Sequence, residues 1–281
     1  MDDEERAVVL GGGGVTGIAW EIGLVHGLAE AGVDLTGADL LIGTSAGSVV
    51  AAQLAGGTPL ERLYADQLRP PRDEIAARLT RGMVLRYAAA YALPGTGQRK
   101  RARLGRAALR ARTVSEAERR AVFEGRLAQR GWPERALRVT AVNAEDGSFA
   151  VFDRDSGVPF LDAVAASCAV PLVWPPVTID GHRYMDGGMR SLANVDLAAG
   201  HERVVVLAPI TRGLSRAGRP DVQLAALDAR SILLSPDDAA RAAIGGNVLD
   251  PARRAAAAEA GRAQAAAVAE AVRAVWDGPA R

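Results

Sequence analysis

The sequence is short of the residue types that build metal centres and disulfide frameworks. Its 281 residues include one cysteine, Cys168, and three histidines, His26, His182 and His201. A single cysteine excludes a disulfide framework within the chain and a cysteine-rich metal site. Three scattered histidines argue against a histidine-rich metal centre. We therefore expect a chemistry that needs neither a metal nor a cofactor.

The chain also lacks an excess of charge of one sign. It has 34 basic and 33 acidic residues and a formal net charge of +1, and Lys100 is its only lysine. A near-neutral chain has no overall basic footprint for a nucleic acid, so none is expected as a partner. An apolar share of 49% with balanced charge is typical of a folded protein and excludes a wholly disordered one.

Long unbroken apolar runs are missing too. The longest uncharged stretch, Leu40–Leu60, has 21 residues but includes four glycines, and Ala163–Ile179 includes three prolines, which would break a helix. The N-terminus, Met1–Arg6, is acidic and lacks the basic start and apolar core of a secretory signal. These features predict a cytoplasmic protein without a membrane-spanning segment.

Strands, glycine turns and helices alternate in the first 55 residues. A short strand is predicted at Arg6–Leu10 and a helix at Gly17–Ala31, and the same order returns at Asp39–Ile42 and Ala46–Leu54. This order predicts an α/β sheet with crossover connections. Further strands are predicted at Leu137–Asn143, Phe149–Phe152, Val177–Ile179, Arg203–Leu207 and Ser231–Leu234, and an alanine-rich helix at Pro251–Trp276.

The middle of the chain differs from the rest in charge. The segment Arg69–Arg138 contains 18 basic and 6 acidic residues, although the whole chain is near neutral. Apolar residues at helical spacing lie among the arginines, a combination that suits an anionic lipid surface. A second interpretation remains open, in which the segment is a solvated helical insertion whose arginines pair with acidic residues elsewhere.

A glycine-rich segment, Gly12–Gly17, follows the first predicted strand and opens the first helix. Its letters, GGGVTG, fit the G-x-G-x-x-G fingerprint of dinucleotide-binding proteins. That fingerprint also requires an acidic residue at the end of the next strand, whereas Asp39 lies at its start. The nucleotide interpretation is therefore not favoured. Free N–H groups at a helix N-terminus still stabilise negative charge, either a phosphate or a transient oxyanion.

The segment Gly43–Gly47 reads GTSAG and lies between the second strand and the second helix. This is the pattern and the setting of a nucleophile elbow, in which the serine occupies a sharp turn and its hydroxyl projects from the sheet edge. Ser45 is thus the candidate nucleophile, and the amide of Ala46 is expected to point at the same place. The alternative is that Ser45 only caps the helix.

A base for Ser45 has to be found elsewhere in the chain. None of the three histidines lies in a late loop after a strand, where an α/β-hydrolase places its catalytic histidine, so each is interpreted as a surface or packing residue. The better candidate is Asp186, which opens Asp186–Gly188 just after a predicted hairpin, Val177–Tyr184. Alone, this aspartate could equally be a turn residue.

Four segments together resemble the bacterial patatin-like phospholipase family. Gly12–Gly17 resembles its oxyanion loop and Gly43–Gly47 its nucleophile elbow. Ala166–Pro171 (ASCAVP) resembles its Ala-Ser-x-Ala-x-Pro stretch, and Asp186–Gly188, with Asn194 beyond it, resembles its aspartate motif. The similarity covers roughly residues 6–237 and is weakest between 59 and 135.

The resemblance implies a three-layer α/β/α sandwich with a central, mostly parallel sheet. Residues 1–281 would form one domain, with 59–135 as an Arg-rich helical insertion or cap. Ser45 and Asp186 would form a catalytic dyad that cleaves lipid esters through an acyl-enzyme. The oxyanion would be held by amides of Gly12, Gly13, Gly14 and Ala46, and the motifs would be supported by Gly17, Gly43, Gly47, Gly187 and Gly188.

One residue departs from the family pattern. Thr16 stands where the family usually has arginine or lysine in the glycine loop, so a cation that would support the oxyanion is missing there. Either turnover is lower or another arginine takes its place. Two further functions remain open: a soluble esterase or thioesterase without membrane preference, and a catalytically weak lipid-binding member, which Thr16 suggests. The apolar run Val170–Val177, which includes Trp174, would line an acyl pocket or pack in the core.

Overall fold

A computed structural model describes residues 6–70, 77–78 and 80–278. Within these residues eight strands form one sheet. The strands are β1 (Arg6–Leu10), β2 (Leu40–Thr44), β3 (Ala136–Asn143), β4 (Phe149–Phe152), β5 (Val177–Ile179), β6 (His182–Asp186), β7 (Arg203–Leu207) and β8 (Arg230–Leu234). The helices are α1 (Gly14–Glu30), α2 (Ala46–Ala55), α3 (Leu60–Leu68), α4 (Arg81–Ala92), α5 (Gly97–Leu109), α6 (Glu116–Arg126), α7 (Phe160–Ser167), α8 (Pro220–Leu224), α9 (Asp238–Ile244) and α10 (Arg254–Trp276).

Five of the strands run parallel, in the order β3-β2-β1-β7-β8. The remaining three strands extend the sheet from β3, where β4 and β6 pair antiparallel to it and β5 pairs antiparallel to β6. Because parallel strands end at the same edge, the loops after β1 and β2 lie side by side.

Helices cover both faces of the sheet. On β1, Val8 and Leu10 belong to the larger buried cluster, with residues of α1, α2, α7 and α10. The alternate residues Ala7 and Val9 belong to a second cluster, with the turn Val195–Ala198 and residues next to it. Successive side chains of a strand point to opposite faces, so the predicted α/β/α class with a mostly parallel central sheet is confirmed.

The register of β3 explains how two distant parts of the chain meet. Thr44, at the end of β2, pairs with Thr140, and Asp186, at the end of β6, pairs with the next residue, Ala141. Strand β4 pairs with residues 139–142 of β3, which overlap the partners of β2 and those of β6. Strand β4 therefore lies along one edge of β3, and β2 and β6 lie along the other. The antiparallel β6 therefore ends where the parallel β2 ends, and Ser45 follows at that point.

Several predicted boundaries were wrong by a few residues. The second strand is Leu40–Thr44 and not Asp39–Ile42, because pairing with β3 continues through Thr44. The first helix starts at Gly14 and not at Gly17. The predicted C-terminal helix starts at Arg254, because a short 3-10 turn capped by the Asp250 carboxylate precedes it.

Among the described residues between α2 and β3 there are four helices, α3 to α6. Helices α4 and α5 pack through Ala90 and Leu104 against Leu172. Two tyrosines of α4 hold the loops around the candidate site, since the Tyr87 hydroxyl donates to the Pro171 carbonyl at 3.1 Å and the Tyr91 hydroxyl to the Met189 carbonyl at 2.9 Å. No helix in the described ranges is long and apolar enough to cross a membrane.

Candidate active site

Ser45 lies in a strained turn between β2 and α2. Its φ is 53° and its ψ −121°, a conformation that costs a non-glycine residue roughly 1–3 kcal/mol. Close packing enforces the turn, because a Cβ on Gly43 would lie 2.4 Å from Ser48 Cα and one on Gly47 only 2.1 Å from the Leu10 carbonyl oxygen. The flanking glycines are therefore required by space.

Hydrogen bonds fix the peptide groups on both sides of Ser45. Its N–H donates to Ser167 Oγ at 2.9 Å. Its carbonyl oxygen accepts from Ser48 Oγ at 2.6 Å and from Cys168 Sγ at 3.0 Å. Ser167 and Cys168 belong to the ASCAVP segment, so that motif holds the turn from outside the helix. The strained turn is thus held in a buried framework by hydrogen bonds to the N–H and the carbonyl of Ser45.

The structure brings Ser45 and Asp186 together. Ser45 Oγ donates to Asp186 Oδ2 at 2.6 Å, across 141 residues of sequence. The second carboxylate oxygen, Oδ1, accepts from the Gly188 N–H at 2.7 Å, and the Asp186 N–H donates to the Ala169 carbonyl at 3.0 Å. Gly187 is packed against Thr140, where a Cβ would meet Oγ1 at 2.3 Å. The carboxylate is therefore held in one orientation toward the serine hydroxyl.

Burial changes the proton affinity of this carboxyl group. Asp186 is 3% exposed, and desolvation raises its pKa from 3.8 to about 7, against the opposing effect of the hydrogen bonds from Ser45 and Gly188. An ordinary aspartate is too weak a base for work near neutral pH, because proton transfer is most efficient when the pKa lies near the working pH. The site thus contains a carboxylate with a proton affinity suited to general-base chemistry.

The glycine loop after β1 packs against the same turn. The Gly47 N–H donates to the Gly11 carbonyl at 3.0 Å, and the Gly12 N–H donates to the Leu192 carbonyl at 2.7 Å. Gly12 was expected to donate to an oxyanion, and in this structure its N–H is occupied. In the described ranges the N–H groups of Gly13, Gly14 and Ala46 have no acceptor. Gly17 closes the loop by donating to the Gly13 carbonyl at 2.8 Å.

Thr16 does not replace the cation that the family pattern has in this loop. Its N–H and its hydroxyl both lie 3.2 Å from the Val248 carbonyl oxygen and donate to it. The residue is completely buried. Its side chain therefore ties the loop to the segment before α10 and adds no charge to the site.

Two buried polar residues, Asn194 and Glu21, support the site through hydrogen bonds that sequence reasoning did not predict. Asn194, in a left-handed conformation, donates through Nδ2 to Thr44 Oγ1 at 3.0 Å and so links the loop after Asp186 to β2. The buried Glu21 accepts from the Gly11 N–H at 3.0 Å, and burial raises its pKa well above 4.5. Asn194 carried a signal in the family resemblance, whereas Glu21 stands in an apolar helix pattern and carried none.

A narrow cavity of about 30 Å³ opens beside Ser45. Trp174 and Val170 line it, so the apolar run after the ASCAVP segment contributes to the site as well as to the core. Two arginines of α6, Arg119 and Arg126, line it as well.

The three histidines lie in packing or surface positions. His26 stacks on Tyr64 with 4.7 Å between ring centroids, the His182 ring faces Glu145, and His201 is buried beside the Ala198 carbonyl. In the part of the chain that the structure describes, no three histidine, cysteine, aspartate or glutamate side chains cluster as metal ligands would.

The fold and this site define an α/β protein with a serine at a sharp strand-to-helix turn and a buried aspartate bonded to its hydroxyl. The family model described as Patatin-like phospholipase matches residues 8–199, so the chain belongs to the patatin-like phospholipase family. It is accordingly a hydrolase of the family that acts on ester bonds of lipids. No curated protein sequence matches the chain.

Two solved structures are similar to the chain at low identity. One is VipD from Legionella pneumophila, with 15% identity, a TM-score of 0.49, and coverage of 95% of this chain and 67% of VipD. The other is the type III effector protein ExoU, with 16% identity, a TM-score of 0.43, and coverage of 96% of this chain and 53% of ExoU. Both TM-scores are below 0.5.

Proposed function

We propose that the protein is a serine lipid acyl hydrolase in which Ser45 and Asp186 form the catalytic dyad. The observation that supports this assignment best is the 2.6 Å hydrogen bond from Ser45 Oγ to Asp186 Oδ2, made by a carboxyl group whose pKa is raised to about 7 by burial. A serine hydroxyl is a weak nucleophile unless an adjacent base accepts its proton. Asp186 is that base.

The reaction proceeds in two halves. Ser45 Oγ attacks the ester carbonyl carbon while Asp186 takes the hydroxyl proton, and the same proton then passes to the departing alcohol as the acyl-enzyme forms. In the second half Asp186 takes a proton from water, the resulting hydroxide attacks the acyl-enzyme, and the proton returns to Ser45 Oγ as the fatty acid leaves. No proton is gained or lost over the cycle apart from ionisation of the product.

The oxyanion of each tetrahedral intermediate needs hydrogen-bond donors at the helix N-termini. The N–H groups of Gly13, Gly14 and Ala46, which have no acceptor in the described part of the chain, are the proposed donors. Loss of one such donor raises the barrier by about 3 kcal/mol in comparable sites. Gly12 shapes the loop, because its own N–H is bonded to Leu192.

The substrate is proposed to be a lipid ester reached at a membrane surface, by a cytoplasmic protein with peripheral contact through Arg69–Arg138. Helix α4 exposes Val84 and Leu85 by 53 and 70%, and Leu93, directly after it, is exposed by 54%. Such side chains beside arginines suit an anionic interface. We also retain the prediction that residues 1–281 form one domain, with 59–135 as its helical insertion.

A fluorophosphonate probe tests the dyad directly. At pH 8, where Asp186 is ionised, we expect wild type to be labelled, Ser45→Ala to be unlabelled, and Asp186→Asn to be labelled at least about a hundredfold more slowly, the size of a lost general base. Release of fatty acid from mixed lipid micelles should follow the same order. Ser156→Ala, in an exposed turn, is the matched control and should react like wild type.

The same experiment separates the alternatives. Labelling that survives in Ser45→Ala would contradict the assignment of the nucleophile. An unlabelled wild-type protein that still binds lipid would favour the catalytically weak lipid-binding member, which Thr16 suggests. Labelling with equal turnover of soluble and micellar esters would favour the soluble esterase or thioesterase.

A further inference from the structure

A second cavity, of about 420 Å³, opens between the start of α5 and the turn Gly187–Met189 that follows Asp186. None of its described lining residues lines the cavity beside Ser45. Small-molecule sites in proteins have volumes of roughly 300–1,000 Å³, so this cavity is large enough for an organic ligand. A ligand bound there would occupy a site of its own, because neither Ser45 nor Asp186 lines it.

Positively charged side chains line this second cavity, and its described lining residues include no aspartate or glutamate. The cations are Lys100 and Arg101 of α5 and Arg190, directly after the turn. Arg190 pairs with Asp196. In the described ranges no carboxylate forms an ion pair with Lys100 or Arg101. The three cations and the one carboxylate therefore leave an excess of two positive charges at the cavity wall.

Arg101 is held at the wall of this cavity beside another cation. Its Nε donates to the Gly147 carbonyl at 2.8 Å, which fixes the guanidinium group. Burial lowers the pKa of Arg101, and the charge of Arg190 acts in the same direction, against opposing effects of Tyr91 and Asp146. A bound anion would offset both the desolvation and the repulsion between the two guanidinium groups, because it supplies the negative charge that the wall lacks.

The rest of the cavity wall is uncharged. The ring of Tyr91 and the side chain of Met189 provide apolar surface, and Ser215 and Gln223 provide polar groups. Apolar walls with a few convergent polar groups suit an organic ligand better than a bare ion. A phosphate monoester carries about −1.5 to −2 charges at pH 7, which matches the excess of two positive charges better than a singly charged carboxylate or phosphodiester does.

The turn that orients Asp186 forms part of the same wall. Met189 and Arg190 line the cavity. The Arg190 N–H donates to the Gly187 carbonyl at 3.0 Å, and the Gly188 N–H donates to Asp186 Oδ1 at 2.7 Å. A ligand in the cavity would therefore contact the short turn whose backbone holds the carboxylate of Asp186.

We propose that the second cavity is a binding site for a phosphate monoester, whose phosphate group contacts Lys100 and Arg101. This site goes beyond the proposed function and does not rest on it, because its described lining residues include neither Ser45 nor Asp186. Guanidinium and ammonium groups form strong, charge-assisted hydrogen bonds with phosphate oxygens. The organic part of the ester lies against the apolar part of the wall.

Calorimetric titration of the full chain with phenyl phosphate tests the site. The comparison ligand is methyl phenyl phosphate, the diester, which carries a single negative charge. For wild type we expect saturable binding of the monoester, at least about tenfold weaker binding of the diester, and a higher melting temperature with the monoester present. For Lys100→Gln and for Arg101→Gln we expect Kd of the monoester to rise about 10- to 100-fold, the range of one lost charged hydrogen bond.

Matched variants isolate the role of the two cations. Arg106→Gln removes one positive charge at an exposed position of the same helix that does not line the cavity, and it should bind the monoester like wild type. Arg101→Lys, which retains the charge without the two-pronged donor, should lie between wild type and Arg101→Gln. A thermal melt without ligand checks that each variant is folded.

Vesicles distinguish the two sources of a phosphate monoester. Phosphatidylcholine vesicles are prepared with phosphatidic acid, a monoester, or with phosphatidylglycerol, a diester, at equal surface charge. A preference for phosphatidic acid that is lost in Lys100→Gln would identify a lipid headgroup as the ligand. Equal binding to both vesicles, together with binding of phenyl phosphate in solution, would identify a soluble monoester.

Each other outcome overturns the proposal. The site does not exist if wild type neither binds phenyl phosphate at millimolar concentration nor prefers phosphatidic acid. Equal Kd values for monoester and diester would contradict the match of charge, and unchanged affinity in both Lys100→Gln and Arg101→Gln would place the ligand elsewhere. An equal loss in Arg106→Gln would assign binding to overall charge. No step measures turnover, so activity that survives in Ser45→Ala would contradict the proposed function alone.

Discussion

The raised pKa of Asp186, which suits its proposed role as a general base, has a cost in stability. In the folded protein its pKa is about 7, raised by burial, whereas in the unfolded chain it returns to its ordinary value of 3.8. As pH rises through this interval the unfolded chain releases its proton first, so the folded state becomes less stable until the pH passes about 7. The full difference is about 4 kcal/mol.

The first prediction follows from this loss of stability as the pH rises to about 7. Asp186→Asn replaces the carboxyl group by an amide that cannot ionise. At pH 8 the variant should therefore exceed wild type in free energy of unfolding by up to about 4 kcal/mol and should unfold at a higher temperature. At pH 3.5, where both side chains are neutral, this advantage should be lost. Thermal melts at the two pH values measure it. Asp155→Asn, at an exposed position, is the control. A stability gain of equal size at both pH values would contradict the raised pKa.

Single residues show what the sequence could and could not reveal about the site. Ser45 and Asp186 lie in short motifs with a recognisable strand and turn context, so their candidacy could be predicted. The bond between Gly12 and Leu192, and the contact of Glu21 with Gly11, depend on distant backbone and have no local pattern. The sequence does not distinguish Arg119 and Arg126 from the other arginines of the basic segment, because only the fold places them beside Ser45.

At the scale of elements, the junction of β1, β2 and α2 decides whether the site can form. Gly47, in the first turn of α2, lies against the end of β1, where an added Cβ would be 2.1 Å from the Leu10 carbonyl oxygen. Its N–H also donates to the Gly11 carbonyl. Backbone cannot yield as a flexible side chain can, so any larger residue must displace the glycine loop or the strained turn.

The second prediction compares two glycines in helices. Gly47→Ala should destabilise the fold by several kcal/mol, in the range of severe overpacking, and abolish probe labelling of Ser45. Gly125→Ala, in α6, meets nothing within 4 Å and should stabilise by up to about 1 kcal/mol through helix propensity, with labelling unchanged. Denaturant unfolding and labelling rates measure both. Normal labelling of a folded Gly47→Ala variant would refute the packing argument.

The elements also mark the limit of sequence-based prediction of the fold. The parallel strands were recognisable because they are short apolar runs followed by glycine turns, and their order along the chain implies crossovers. Strand ends were misjudged where pairing decides them, as at Thr44, whose partner is Thr140 of β3. The helices between residues 60 and 126 were expected only as a basic helical segment, because their number and their ends depend on caps such as Thr96 and Ser115 and on packing against distant parts of the chain.

At the scale of the whole molecule, charge is distributed unevenly over a near-neutral chain. Some arginines of Arg69–Arg138 pair with carboxylates, as Arg120 does with Asp162. In the described part of the chain, no carboxylate pairs with Arg99 or Arg106 of α5, or with Arg110 directly after it. These three cations lie near the exposed apolar side chains of α4 in the chain. An anionic lipid surface would neutralise these three cations and bury the exposed apolar side chains.

The last prediction separates the proposed membrane contact from the proposed catalysis. Binding to vesicles with anionic lipid should weaken in 1 M salt, where the screening length falls to about 3 Å, and should weaken further in Leu85→Ser, which removes the side chain that is 70% exposed on α4. Leu214→Ser, at a position 41% exposed outside the basic segment, is the matched control and should bind normally. Probe labelling in the absence of lipid should be unchanged in both variants, since neither side chain contacts Ser45 or Asp186. Vesicle sedimentation measures the binding. Binding that ignores both salt and anionic lipid would exclude an electrostatic role for the arginines and leave a lipid hydrolase that reaches its substrate by another surface.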